Sequence, residues 1–208
     1  MLLDIETTKK LLSKYNIPFA QSALIEHKFQ LEDTANKIGY PLVLKISSAT
    51  IIHKTDIGGV VVNIKNQQEL EDAFDQLYSQ FHTESNIGFL VQKYIDGKQL
   101  IAGAKLDPTF GPIVLFGLGG IFVETLKDIT FRLAPLELDS AQQMIKEIKG
   151  YQILTGIRGQ KSINIKALEI ILLNLSKMIC NEKTKEIDFN PIVANENEAL
   201  VVDAKIII

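Results

Sequence analysis

Residues 43–60 read VLKISSATIIHKTDIGGV, and three residue types in that run, lysine, histidine and glycine, can act on a phosphoryl group. Lys45 closes an apolar strand, and Gly58-Gly59 opens the next one. Exposed amides in a glycine turn form an anion nest, and a nearby ammonium adds point charge, so the pair suits phosphate. On the loop between them stands His53, followed by Lys54. A neutral imidazole can attack a phosphoryl group and split one transfer into two easier ones, with cations offsetting the charge on the oxygens. The G-x-x-x-x-G-K-[ST] phosphate loop is absent. The same residues also fit a β-hairpin with a glycine-rich loop, a solvated lysine and a histidine bonded to a carbonyl, and the loop alone leaves both readings open. His27 and His82 lie among polar residues and read as surface side chains.

A second cluster lies near the C-terminus. In KEIDFNPIV the period of two puts Glu186, Asp188 and Asn190 on one face, with Ile187 and Phe189 on the other. If IDFNPIVA and ALVVDAKI pair around a Glu196-Asn197 turn, Asn190 faces Asp203. Their Cβ atoms would then lie about 5 Å apart. An amide oxygen and a carboxylate at that spacing suit a hard cation such as Mg²⁺; an ordinary polar hairpin face would look the same. A third feature, FGPIVLFGLGGIFVETLKDITFRLAP, places Gly117, Gly119 and Gly120 in an apolar strand and Glu124 and Arg132 beyond it. It is no dinucleotide fingerprint, because no G-x-G-x-x-G opens a helix.

The positioning elements alternate between helix and strand. DIETTKKLLSKYNIP reads as a helix capped by Asp4, and QLEDTANKIG as a helix closed by Gly39. NQQELEDAFDQLYSQF carries apolar residues at 70, 73, 74, 77 and 81, a helical stripe capped by Asn66. DSAQQMIKEI and IKALEIILLNLSKMIC are later helices, and FAQSALIE, PLVLKI, GVVVNI, IGFLVQKYI, QLIAGAKL and GPIVLFGLGG read as strands. Asp96-Gly97 is the expected hinge, which divides the chain into residues 1–95, a small lobe with an N-terminal helix, and residues 96–208, a large lobe.

The chain has 208 residues, 46% of them hydrophobic and 23% charged, which is ample for a packed core and argues against disorder. A net charge of -3 argues against general nucleic-acid binding. Its one cysteine, Cys180, excludes an internal disulfide and is expected to be a buried, inert thiol. No signal-peptide pattern and no membrane-length apolar run is present, so a soluble cytoplasmic protein is expected.

Taken in order, YPLVLKISSATIIHKTDIGGVVVNI, GFLVQKYIDGKQLIAGAKLDPTFGPIVLFGLGGIFVETLKDITFRLAPL, LTGIRG and EIDFNPIVANENEALVVDAKI resemble the ATP-grasp β subunit of ADP-forming acetyl-CoA synthetases, relatives of succinyl-CoA synthetase. The resemblance implies an α/β (α+β) ATP-grasp fold of two lobes with ATP or ADP held between them. It implies an acid–thiol ligase completed by a separate CoA-binding α subunit, as an α2β2 heteromer. By position, Lys45, Lys54, Gly58 and Gly59 match the phosphate-binding residues. Gln92, Lys93, Tyr94 and Ile95 match the segment whose backbone holds adenine, and Asn190 and Asp203 match the Mg²⁺ ligands. His53 matches a phosphohistidine that relays the phosphoryl group to ADP. Lys98-Gln99 departs from the family's usual Gly-Glu, which removes a carboxylate from any ribose contact. Two other readings stand beside this one: a single-chain carboxylate–amine ligase, which needs no histidine relay, and a non-catalytic ATP-grasp module, which would be expected to lose the histidine or the metal ligands.

Overall fold

Helix α1 (Ile5–Lys14) begins at Asp4, whose carboxylate accepts a hydrogen bond from Thr7 N at 2.8 Å and satisfies one of the unpaired amides of the first turn. The computed structural model describes residues 1–48, 57–83, 87–120, 128–157, 159 and 161–208. Its contacts divide the chain into two units, residues 20–95 and residues 1–19 with 96–208. Residues 1–19, expected with the small lobe, pack with the larger unit. The reason is burial: Leu12 and Ile17 insert into its core, and Val201 N donates to Pro18 O at 2.9 Å.

The smaller unit contains β1 (Ser22–Ile25), a 3-10 turn (Lys28–Gln30), α2 (Leu31–Ile38), β2 (Leu42–Ser47), β3 (Val60–Ile64), α3 (Gln67–Phe81) and β4 (Gly88–Lys93). Its strands form an antiparallel sheet in the order β1-β4-β2-β3. Leu42, Leu44 and Ile46 of β2 and Phe89 and Val91 of β4 point to one face and pack against the α3 stripe of Leu70, Ala73, Phe74, Leu77 and Phe81. Asn66 caps α3 through Glu69 N at 2.9 Å. Alternation therefore turns Val43, Lys45, Leu90 and Gln92 to the opposite face.

The larger unit adds β5 (Lys98–Asp107), β6 (Gly111–Leu118), β7 (Ile129–Leu133), α4 (Leu138–Glu147), α5 (Tyr151–Thr155), α6 (Ile165–Asn181), β8 (Glu186–Ala194), β9 (Ala199–Val201) and β10 (Ala204–Ile207). The sheet runs β10-β8-β5-β6-β7, with β9 continuing the pairing of β8. Ala102, Ala104, Val114, Phe116, Ile187 and Phe189 face the core, which α4 and α6 close with Met144, Ile145, Leu168, Ile171, Leu172 and Leu175. Cys180 departs from expectation. It lies one residue past the inward stripe that ends at Ile179, and its thiol is exposed; partial burial still pushes its pKa up.

Candidate functional site

In the smaller unit, Lys45 sits in mid-sheet, paired with Leu90 of β4 on one side and Val60 of β3 on the other. It is only 6% exposed although it lies on the face away from the helices. Ile46 N donates to Gly59 O at 3.0 Å, which holds the glycine turn against the end of β2. Gly58 takes φ +72°, a conformation side chains rarely adopt, and nothing lies within 4 Å of where its Cβ would be. The structure thus brings Lys45 and Gly58-Gly59 together on adjacent strands. His53 and Lys54 lie outside the described residues.

Gln92 stands opposite Val43, so its side chain is a diagonal neighbour of Lys45 on the same sheet face. It is 2% exposed, and its Nε2 has no hydrogen-bond partner among the described residues. A buried amide left unpaired costs free energy, and this one lies on the sheet face that carries Lys45. The sequence reading assigned only backbone contacts to this segment; the side chain emerges from burial, which spacing does not reveal. Lys93 is engaged structurally. Its Nζ donates to Gly39 O and Tyr40 O, both at 2.9 Å, which anchors the turn before β2. Tyr94 N donates to Pro41 O at 3.1 Å, and Ile95 closes the unit.

In the larger unit, the hairpin register is the one that the Glu196-Asn197 turn requires. Ile192 pairs with Val201 and Ala194 with Ala199 on one side, and Phe189 pairs with Ala204 and Asp188 with Lys205 on the other. Between these runs Asn190 N donates to Asp203 O at 3.1 Å, so Asn190 and Asp203 are cross-strand neighbours. Asn190 is exposed and Asp203 half-buried.

Asp188 belongs with them. It shares the Asn190 face, and its carboxyl is held above the ordinary range chiefly by burial, with repulsion from Asp203 and Glu186 adding and Lys205 opposing. Amide and carboxylate oxygens gathered beside an under-compensated acid are the donor chemistry that a hard divalent cation favours. Asn190 and Asp203 therefore fit Mg²⁺, and Asp188 lies beside them. Among the described residues no group of three or more His, Cys, Asp or Glu forms a metal cluster, which an amide-plus-carboxylate pair does not need.

The glycine-rich third feature divides. Gly119 N donates to Gln99 O at 2.8 Å, and a Cβ at Gly119 would meet the Gln99 carbonyl carbon at 2.8 Å, so glycine is needed for β6 to end against β5. Glu124 lies outside the described residues. Arg132 is explained structurally: its Nη2 donates to both Glu147 oxygens at 2.6 Å, tying β7 to α4.

The ATP-grasp domain family matches residues 1–208. The chain belongs to the ATP-grasp domain family. It is 42% identical over 206 residues to the β subunit of acetate–CoA ligase [ADP-forming] I of Pyrococcus furiosus, covering 96% of this chain and 89% of that one. It is 40% identical over 203 residues to acetate–CoA ligase [ADP-forming] I of Archaeoglobus fulgidus, covering 95% of this chain but 30% of that longer protein. Among solved structures, the dinucleotide forming acetyl-coenzyme A synthetase 1 of Ca. Korarchaeum cryptofilum, in complex with coenzyme A, Ca-AMPCP and HgCl+, superposes with a TM-score of 0.93 at 38% identity, covering 100% of this chain and 93% of that one. The same enzyme with coenzyme A and Mg-AMPPCP, its phosphohistidine segment pointing towards the nucleotide binding site, gives a TM-score of 0.85 at 37% identity, over 99% and 92% of the two chains. Among the described residues, no helix of this ATP-grasp domain is long and apolar enough to cross a membrane.

Proposed function

We propose that this ATP-grasp domain is the nucleotide-binding β subunit of an ADP-forming acyl-CoA synthetase, with Mg²⁺ and ADP or ATP as its ligands. The net reaction is acyl-CoA + phosphate + ADP ⇌ carboxylic acid + CoA + ATP. A CoA-binding α subunit forms the acyl phosphate, and the assembly is α2β2. The single observation that carries this reading is the near end-to-end match to a β subunit in a chain that keeps Asn190 and Asp203 paired.

Lys45 and the Gly58-Gly59 amides hold the nucleotide phosphates, and Gln92 with the backbone of residues 93–95 holds the base. Asn190 and Asp203 hold Mg²⁺, which when bound offsets charge on the nucleotide phosphates. His53 accepts the phosphoryl group from its carrier on the α subunit: a ring nitrogen forms an N–P bond as the bond between phosphorus and that carrier breaks and the carrier leaves with the electron pair. It then passes that group to the terminal oxygen of ADP, and the imidazole is regenerated. Lys54 adds positive charge beside it.

Reconstitution tests the proposal. The purified chain mixed with a cognate α subunit should convert acetyl-CoA, phosphate and ADP to ATP, and the chain alone should not. Asn190→Ala or Asp203→Ala should abolish ATP formation with little change in stability, because one side chain is exposed and the other half-buried. Full turnover by both variants across a Mg²⁺ titration would remove the metal assignment. ATP-dependent joining of a carboxylate to an amine by the chain alone would favour a single-chain ligase.

A further inference from the structure

Strand β3 lies at the edge of the smaller unit's sheet and carries one residue more than the partner it pairs with. Leu42 pairs with Ile64 and Leu44 with Val61, so Val62 and Asn63 together stand opposite the single residue Val43. Two residues against one is a β-bulge. Asn63 sits in it with φ +58°, in the left-handed region. Val62 and Asn63 are both exposed, so the bulge is a matter of backbone conformation and not of side chains held in the core.

This extra residue decides where the rest of the strand falls. Val61 and Ile64 are three residues apart, a spacing that regular alternation would send to opposite faces. Here both turn to the core under α3: Ile64 is 2% exposed, and Val61 packs against the same cluster. Beyond the bulge Lys45 pairs with Val60, and Ile46 N donates to Gly59 O at 3.0 Å. Were the Leu42–Ile64 register carried on without a bulge, Lys45 would face Val61 and Ile46 would face Val60. The Gly58-Gly59 amides would then lie one residue, about 3.3 Å, farther along β2, and Val61 would turn out of the core.

We propose that Asn63 is a positioning residue for the phosphate site. Its left-handed conformation absorbs the extra residue opposite Val43 and so fixes the glycine amides beside Lys45. Asparagine suits the place because, glycine aside, it is among the residues that best tolerate this conformation. It acts through β3, not on the phosphate itself. The assignment rests on the reading of Lys45 and Gly58-Gly59 as the residues that hold nucleotide phosphates.

Calorimetry with Mg·ADP on the full chain tests it, with each variant titrated well below its own melting transition. Asn63→Gly should bind within about twofold of the natural chain, because glycine takes positive φ freely. Asn63→Val should weaken binding about tenfold or more, since a β-branched residue resists that conformation and a misplacement of about 1 Å in a positioned group is already costly. Deletion of Asn63 removes the extra residue and lets Val61 and Ile64 alternate regularly, so affinity should return to within about threefold of the natural chain. Where the valine variant does not fold, Asn63→Ala decides, with a loss of about threefold or more. A folded valine or alanine variant that melts lower but binds as the natural chain does would make the bulge merely structural and overturn the proposal. Weak binding by Asn63→Gly or by the deletion variant would overturn it as well. No Mg·ADP binding by the natural chain would end the nucleotide reading and this proposal with it, whereas natural binding with unchanged variants ends this proposal alone.

Discussion

Asp188 carries an electrostatic cost that a ligand can relieve. Burial and the neighbouring Asp203 favour its protonated form, so its carboxyl titrates above its ordinary value of 3.8 in the folded chain. The linkage sign follows. The stabilisation from holding that proton is complete below the unfolded pKa and is lost as pH rises through the raised one, which leaves a charged, poorly solvated group at neutrality. Asp188→Asn removes the charge and keeps the shape. Its melting temperature should exceed that of the natural chain near pH 7, and the gap should close below about pH 4, where both forms are neutral. Added Mg²⁺ should stabilise the natural chain more than the variant if the cation sits beside this carboxylate. Thermal melts at both pH values, with and without Mg²⁺, decide the matter; a variant less stable at neutral pH would contradict the burial argument.

At the scale of elements, the turn between β8 and β9 sets which residues meet. Asn195 fixes it: Oδ1 accepts from Asn197 N at 3.0 Å and Glu198 N at 3.1 Å, while Nδ2 donates to Asp96 O at 3.0 Å. Asn195→Ala should cost about 1–2 kcal/mol in denaturant melts, the net worth of a small group of partly exposed hydrogen bonds. Asn195→Asp should recover most of that loss, because the oxygen that organises the turn remains. Equal losses in both variants would assign the stability to the Asp96 contact instead.

This hairpin also shows what could be read in advance. A two-residue turn and alternating polarity together dictate one register, so the Asn190–Asp203 pairing was legible from spacing. The caps at Asp4 and Asn66 were legible because their side chains act within three residues. Strand β7 was not. ITFRL is an edge segment whose identity comes from pairing with β6, a contact made across the intervening chain. Cys180 misled for a similar reason: a helical stripe leaves its last member uncertain by about one position, and a step of about 100° turns a side chain outward. Neither the shift of Asp188 nor the unpaired amide of Gln92 has a sequence signature, since both arise from burial.

For the whole molecule, the relay through His53 is what distinguishes a synthetase subunit from a ligase that works alone. In direct ligation the acid attacks the γ-phosphate of ATP, and no protein group becomes phosphorylated. If this chain is a phosphoryl carrier, ATP labelled at the γ-phosphate should leave an acid-labile, base-stable label on it. Attack requires a neutral ring, and an ordinary imidazole titrates near about 6.5, so labelling should fall as pH drops well below that value. His53→Ala should lose the label and stop net turnover with the α subunit. Its affinity for Mg·ADP should stay within about twofold of the natural chain, because a group that acts in transfer contributes little to ground-state binding. His27→Ala and His82→Ala are suitable controls. Both residues are exposed, His27 stacked on Phe29 and His82 on Tyr78, and both variants should label normally. Label retained by His53→Ala would move the carrier elsewhere. Full turnover by that variant would end the relay reading while leaving the ATP-grasp fold and its paired Asn190 and Asp203 untouched.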